Sequence, residues 1–158
     1  MVRGSLRWSN NPDRPHQFVG VSGSGHCVNF DDATTGSAPS PIEVLALSLA
    51  ACTAFDVITI LRKKRQDVAA YEVRVEAEQR VGPPAVFTGV RLRHIVRGRA
   101  IDPQAVAQAI ELSKDKYCSI GAMLAPTVPI EHVIELADET FERGPESSLS
   151  RPAGAAAL

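Results

Sequence analysis

The strongest constraint on this fold is an uninterrupted helical pattern that runs from Pro41 to about Arg65. Ser40 stands at the N-cap, Pro41 at the first helical position and Glu43 at the third, which together form a capping box with the favoured proline. Such a helix is about 37 Å long. Its middle, VLALSLAACTAFDVITIL, is apolar on nearly every side, so we expect it to lie in a protein core or in a membrane.

Asp56 and the many Ala, Ser and Thr residues of this helix favour the protein core over the membrane. A single chain of 158 residues can hardly surround so long an apolar helix. We therefore expect a second subunit to cover part of it.

Shorter patterns on either side of the helix predict strands. Alternating apolar and polar residues over 71–81 and 86–96 indicate half-buried strands, and Gly23-Ser24-Gly25 indicates a tight hairpin turn. The class is α+β, with one domain over residues 1–140 and a disordered tail over 141–158. The remaining predicted elements are strands at 3–9, 17–22, 26–30 and 130–136 and helices at 102–116 and 119–124.

Composition excludes several function classes. Seventeen Lys and Arg against eighteen Asp and Glu leave a net charge of −1, which argues against a dedicated nucleic-acid binder. The chain starts without an apolar leader, so we expect a cytoplasmic protein that is not anchored in a membrane. Its three cysteines include no CxxC pair, and His26, His94 and His132 match no zinc spacing. We therefore expect no metal site.

Two cysteines are candidates for chemistry. Cys52 lies midway along the long helix among small residues, and it is either a packed core thiol or a reactive one. Cys118 directly precedes a short predicted helix, where the positive end of the helix dipole favours a thiolate. If the two helices cross near these positions, the thiols can form a reversible disulfide. Cys27 lies on the polar side of its strand, and we expect an exposed bystander thiol there.

Three segments carry a resemblance to a known family: Ser24-Gly25-His26, SPIEVLALSLAACTAFDVITILRKKRQ and LSKDKYCSIGAML. Together they resemble the OsmC/Ohr superfamily of osmotically induced and organic hydroperoxide resistance proteins, in particular a less characterised OsmC-like branch. The resemblance spans residues 5–136. It implies an OsmC-like fold, with antiparallel sheets packed around a long central helix, and an intertwined homodimer with its sites at the interface.

The resemblance also implies a thiol peroxidase acting in oxidative or osmotic stress defence. Cys52 matches the peroxidatic cysteine, which attacks an organic hydroperoxide or hydrogen peroxide and becomes a sulfenic acid. Cys118 matches the resolving cysteine, which condenses with that sulfenic acid to a disulfide. An external dithiol then reduces the disulfide, and no metal or organic cofactor takes part.

An Arg and a Glu assist the cysteine in the peroxidase members. Here Ile42 follows the helix-start proline and Glu43 comes one residue late, so Glu43 is either the catalytic carboxylate that the resemblance implies or a capping-box residue without a catalytic role. Arg14 is the nearest candidate for the Arg. Asp56, four residues after Cys52, opposes ionisation of a neighbouring thiol unless it holds a cation or a hydrogen-bond donor.

Two other hypotheses about the function of this chain stay open. In one, the dimer binds a small apolar ligand at the subunit interface, and the cysteines line the site or sense redox state. In the other, the thiols are structural only.

Overall fold

The computed structural model describes residues 1–9, 12–13, 15–32 and 36–137. The predicted tail at 141–158 lies outside the described residues. The elements follow the predicted order and confirm the α+β class: β1 Gly4–Trp8, β2 Phe18–Ser22, β3 Cys27–Phe30, α1 Pro41–Lys63, β4 Asp67–Gln79, β5 Phe87–Arg99, α2 Pro103–Leu112, a π-helical turn Ser113–Tyr117, α3 Ser119–Leu124 and β6 Ile130–Ala137.

Helix α1 begins at the predicted cap. The Ser40 backbone N–H donates to the Glu43 carboxylate at 2.7 Å, and the Glu43 backbone N–H donates to the Ser40 hydroxyl at 3.5 Å. The helix ends at Lys63, and Arg65 then adopts a left-handed backbone conformation with φ of 57°. This reversal returns the chain at once into β4, which explains why β4 starts at Asp67 rather than at residue 71.

The sheets contain one difference from the expected antiparallel arrangement. Strands β1, β2 and β3 form one antiparallel sheet, and β4 pairs antiparallel with β5 in the other. Strand β6 pairs parallel with β5. The chain leaves β5, passes through α2, the π-helical turn and α3, and re-enters from the same end, which is the crossover that a parallel pair requires.

Helix α2 is shorter than predicted. It ends at Leu112, and residues 113–117 form a wider π-helical turn instead of continuing to about residue 116. The turn is closed by the Cys118 backbone N–H, which donates to the Ser113 carbonyl at 2.8 Å. Turns of this kind are frequent at functional sites.

The core lies on both sides of the middle of α1. Val57 and Leu61 pack with Val96 of β5 and with α2. Leu49 and Ala50 pack with Val90 and Leu92 of β5, with Val128 and with Cys118. Residues 50 to 57 of α1 thus link two buried clusters.

Much apolar surface of the described chain stays exposed. By length and composition α1 can cross a bilayer, as core helices of many proteins can, and 33% of its most apolar stretch is buried inside the chain. Leu47 and Phe55 of α1 are 57% and 74% exposed. Sheet β1–β3 exposes Leu6, Trp8, Phe18 and Val28.

Three aromatic side chains connect the strands of the second sheet. The Tyr71 hydroxyl lies 2.6 Å from His94 Nδ1, and His94 Nε2 lies 3.0 Å from His132 Nδ1. The rings stack along β4, β5 and β6. His94 is fully buried, which confirms the predicted core histidine, and burial lowers its pKa to about 4, with a smaller contribution from His132.

We expect the stability of the fold to decrease as pH falls from 6.5 to 4. In that range the unfolded histidine binds a proton that folded His94 does not bind until about pH 4. The free energy of unfolding decreases by about 3 kcal/mol from this group across the window. Urea unfolding at several pH values measures the decrease.

The variant His94→Gln removes the group and should reduce this pH dependence, whatever its stability at neutral pH, whereas His132, whose pKa burial also lowers, keeps its own contribution. The exposed His26→Gln is the matched control and should keep the wild-type slope. Parallel curves for wild type and His94→Gln would contradict the assignment.

Candidate functional site

The structure brings the two candidate thiols together with one carboxylate. Cys52 Sγ, Cys118 Sγ and an Asp56 carboxylate oxygen all lie within 4.8 Å of one another. Cys52 and Asp56 are four residues apart on one face of α1, and Cys118 joins the π-helical turn to α3. We call these three residues the thiol cluster.

Cys118 is the more deeply buried thiol, with 3% of its surface exposed. Its sulfur accepts a hydrogen bond from the Gly121 backbone N–H at 3.2 Å and lies 3.5 Å from the Thr53 hydroxyl. Burial raises the pKa of the Cys118 thiol, the two hydrogen bonds act in the opposite direction, and the neighbouring Cys52 thiol adds to the rise. The first turn of α3 therefore lowers the Cys118 pKa through the Gly121 N–H, as expected, but burial raises that pKa by more.

Cys52 is half-buried and is the more accessible partner of the pair. It packs against the core cluster that contains Cys118. Gly121 permits the close approach of α3 to this part of α1, because a Cβ at that position would lie 3.1 Å from Cys118 Sγ and 3.8 Å from Leu49.

Asp56 is held by a hydroxyl rather than by a cation. Ser113 Oγ of the π-helical turn donates to its carboxylate at 2.9 Å. Among the ion pairs recorded for the described residues, none involves Asp56. The hydrogen-bond donor to the half-buried Asp56 is thus Ser113, which the sequence pattern did not single out.

The other predicted site residues lie elsewhere. Glu43 is exposed in the first turn of α1, where its bonds to Ser40 lower its pKa, and about 13 Å of helix separates it from Cys52. Arg14 lies outside the described residues. Cys27 is exposed on β3, as expected. Within the described part of the chain, only Cys52 and Cys118 of the predicted catalytic set meet, and the roles of Glu43 and Arg14 stay predictions.

A cavity of about 300 Å³ opens beside Cys118. Leu49, Thr53 and Val128 form part of its wall, and Lys114, Cys118 and His132 contribute its titratable groups. The cavity therefore brings His132, the last ring of the Tyr71–His94–His132 chain, and Cys118 of the thiol cluster to the same space.

Comparisons with known proteins agree on one family. The family model described as OsmC-like protein matches residues 34–133. Protein YhfA of Escherichia coli K12 is 43% identical over 119 residues, which cover 75% of this chain and 89% of YhfA.

Solved structures share the fold. An OsmC-like protein from Mycoplasma pneumoniae has a TM-score of 0.72 at 14% identity and covers 87% of this chain and 97% of its own. An organic hydroperoxide resistance protein OsmC from Legionella pneumophila has a TM-score of 0.63 at 13% identity, with coverages of 85% and 96%.

We expect Gly121→Ala to destabilise the protein by about 1 kcal/mol. The added methyl group crowds Cys118 Sγ, and this overpacking outweighs the better helix propensity of alanine. Gly89→Ala is the matched control, because a Cβ at Gly89 meets no atom within 4 Å. Chemical denaturation of both variants tests the contact, and a Gly121→Ala variant as stable as wild type would contradict it.

Proposed function

The chain belongs to the OsmC-like family, and from this membership we propose that it is a thiol peroxidase that reduces hydroperoxides through Cys52 and Cys118. The observation that carries the proposal is the thiol cluster, in which the two sulfur atoms lie within 4.8 Å of each other. A disulfide needs an S–S distance of about 2.05 Å, so a modest movement of the two side chains joins them. Structural relatives include proteins named for organic hydroperoxide resistance.

The more accessible thiol reacts first in this mechanism. The Cys52 thiolate attacks one peroxide oxygen, the O–O bond breaks, and the leaving alkoxide takes up a proton to become an alcohol. Cys52 is then a sulfenic acid. Cys118 attacks the Cys52 sulfur, water leaves, and the disulfide forms. The net change is two thiols oxidised and one hydroperoxide reduced to an alcohol and water.

The buried position of Cys118 suits the resolving role. Its neighbours Thr53 and Gly121 hold the sulfur next to Cys52 and shield it from solvent. A thiol in this position meets the sulfenic acid of its neighbour before other oxidants reach it. The proposed cycle needs an external dithiol, so we expect the protein to act in a reducing compartment such as the cytoplasm.

The active unit we propose is a homodimer. Leu47, Ala51 and Phe55 follow one another at four-residue spacing along α1 and are all exposed in the single chain. The exposed apolar side chains of sheet β1–β3 provide a second surface of the same character. Burial of such surfaces against a second copy supplies the cover that the long helix lacks.

Free-thiol titration before and after one equivalent of cumene hydroperoxide tests the peroxidase directly. Wild type should lose two of its three thiols, and mass spectrometry should map a Cys52–Cys118 disulfide. The Cys27→Ser variant, which retains two thiols, should lose both of them. Unchanged thiols in wild type would contradict the proposal and favour the apolar-ligand reading.

Single-cysteine variants separate the two roles. Cys52→Ser should abolish peroxide turnover, because no nucleophile remains to open the O–O bond. Cys118→Ser should undergo the first oxidation and then stop, with a sulfenic acid that dimedone labels on Cys52. Turnover that survives in Cys52→Ser would contradict the mechanism.

Phe55→Glu should convert the proposed dimer into a monomer, because it places a charge in the middle of the apolar stripe. Val81→Glu makes the same exchange at a residue that is 98% exposed in the β4–β5 turn, and it should stay dimeric. Light scattering after size exclusion measures both masses. A dimeric Phe55→Glu protein would contradict this interface.

A further inference from the structure

We propose that the reduced thiol cluster binds zinc or a similar soft divalent cation, with Cys52, Asp56 and Cys118 as its three protein ligands. Zinc binds thiolate sulfur at about 2.3 Å and carboxylate oxygen at about 2.0–2.2 Å. Tetrahedral geometry therefore separates two such ligand atoms by about 3.5–3.8 Å. The three donor atoms already lie within 4.8 Å of one another, so side-chain adjustments of about 1 Å complete the site.

Helix α1 presents two of the ligands in a fixed relation. Cys52 and Asp56 stand at positions i and i+4 on one helix face, which is the spacing of metal-binding side chains on zinc-binding helices. Cys118 approaches from the separate junction between the π-helical turn and α3. The three ligands therefore come from two packed elements and approach the metal position from different directions.

Hydrogen bonds outside the cluster orient its ligands. Ser113 Oγ donates to the Asp56 carboxylate, and the Gly121 N–H donates to Cys118 Sγ. Metal ligands in proteins are held by partners of this kind, and N–H donors to sulfur stabilise a thiolate. The same contacts hold the ligands in place before any metal binds.

The charge of the cluster also favours a cation. One carboxylate and two ionisable thiols converge here. None of the ion pairs recorded among the described residues includes Asp56. Binding displaces the two thiol protons to solvent and leaves both sulfur atoms in their reduced state. Three protein ligands leave the fourth corner of the tetrahedron to water. Entry is from the side of Cys52 and Asp56, which are only half-buried.

A regulatory consequence rests on the proposed peroxidase, whereas metal binding itself does not. The metal holds both thiolates and so protects them from adventitious oxidation. A hydroperoxide that reacts with the bound pair takes two electrons, consumes two protons, and yields an alcohol, water, the disulfide and free metal. The disulfide offers no thiolate, so the oxidised protein does not rebind the cation.

Cobalt titration of the reduced, chelator-treated full chain tests the site. We expect one Co²⁺ per chain, with a thiolate-to-cobalt charge-transfer band in the near ultraviolet, tetrahedral bands in the visible, and loss of both when Zn²⁺ is added. Cys52→Ser and Cys118→Ser should each reduce the thiolate band. Asp56→Asn, which preserves side-chain size, should weaken binding by roughly tenfold or more.

Cys27→Ser is the control, because its thiol is exposed on β3 away from the cluster, and its spectrum should equal that of wild type. Protein oxidised with diamide should show no thiolate band. A thermal melt of each variant establishes that it is folded. A spectrum without thiolate bands, or bands that depend on Cys27 rather than on Cys52 and Cys118, would overturn the proposal.

The outcomes for metal and peroxide are separable. Tetrahedral cobalt bands in a protein whose thiols resist cumene hydroperoxide support the metal site and contradict the peroxidase. Rapid disulfide formation in a protein that binds no cobalt through sulfur supports the peroxidase and contradicts the metal site. Zinc release on addition of one equivalent of cumene hydroperoxide supports both, together with the regulatory consequence.

Discussion

The rest of this structure depends on the packing of one apolar helix, α1, into two buried clusters on either side of its middle. Leu49 and Ala50 pack against β5 and Cys118, and Val57 and Leu61 pack against α2. These contacts fix the rotation of α1 about its axis. Cys52 and Asp56 lie between the two clusters, so the same packing that buries the helix also turns its polar atoms toward the π-helical turn and α3.

The chemistry of the thiol cluster depends on whether its thiols form thiolates. Burial raises the pKa of the Cys118 thiol, and the neighbouring Cys52 thiol adds to the rise. Peroxide reduction and metal binding both need the thiolate form. Each is therefore favoured by hydrogen-bond donors to sulfur: the Gly121 N–H donates to Cys118 Sγ, and Ser113 Oγ donates to the neighbouring Asp56 carboxylate.

The sequence identified the two cysteines but missed the residues that hold them. Ser113 contacts a partner 57 residues away in the chain, and Thr53 contacts one 65 residues away, so no local pattern marks either. Glu43 illustrates the opposite case. Its capping-box spacing was visible from the sequence, and in the structure its carboxylate accepts the expected hydrogen bond from the Ser40 backbone N–H.

The sequence by itself therefore determined the local structure. It predicted the cap and course of α1, the alternation of β4 and β5, and the burial of His94. These features depend on residues close together in the chain, where spacing and side-chain type decide the conformation. Only the tertiary structure decided the parallel pairing of β6, the π-helical turn and the meeting of Cys52, Asp56 and Cys118. Those features depend on how distant segments pack, and packing is a property of the whole core.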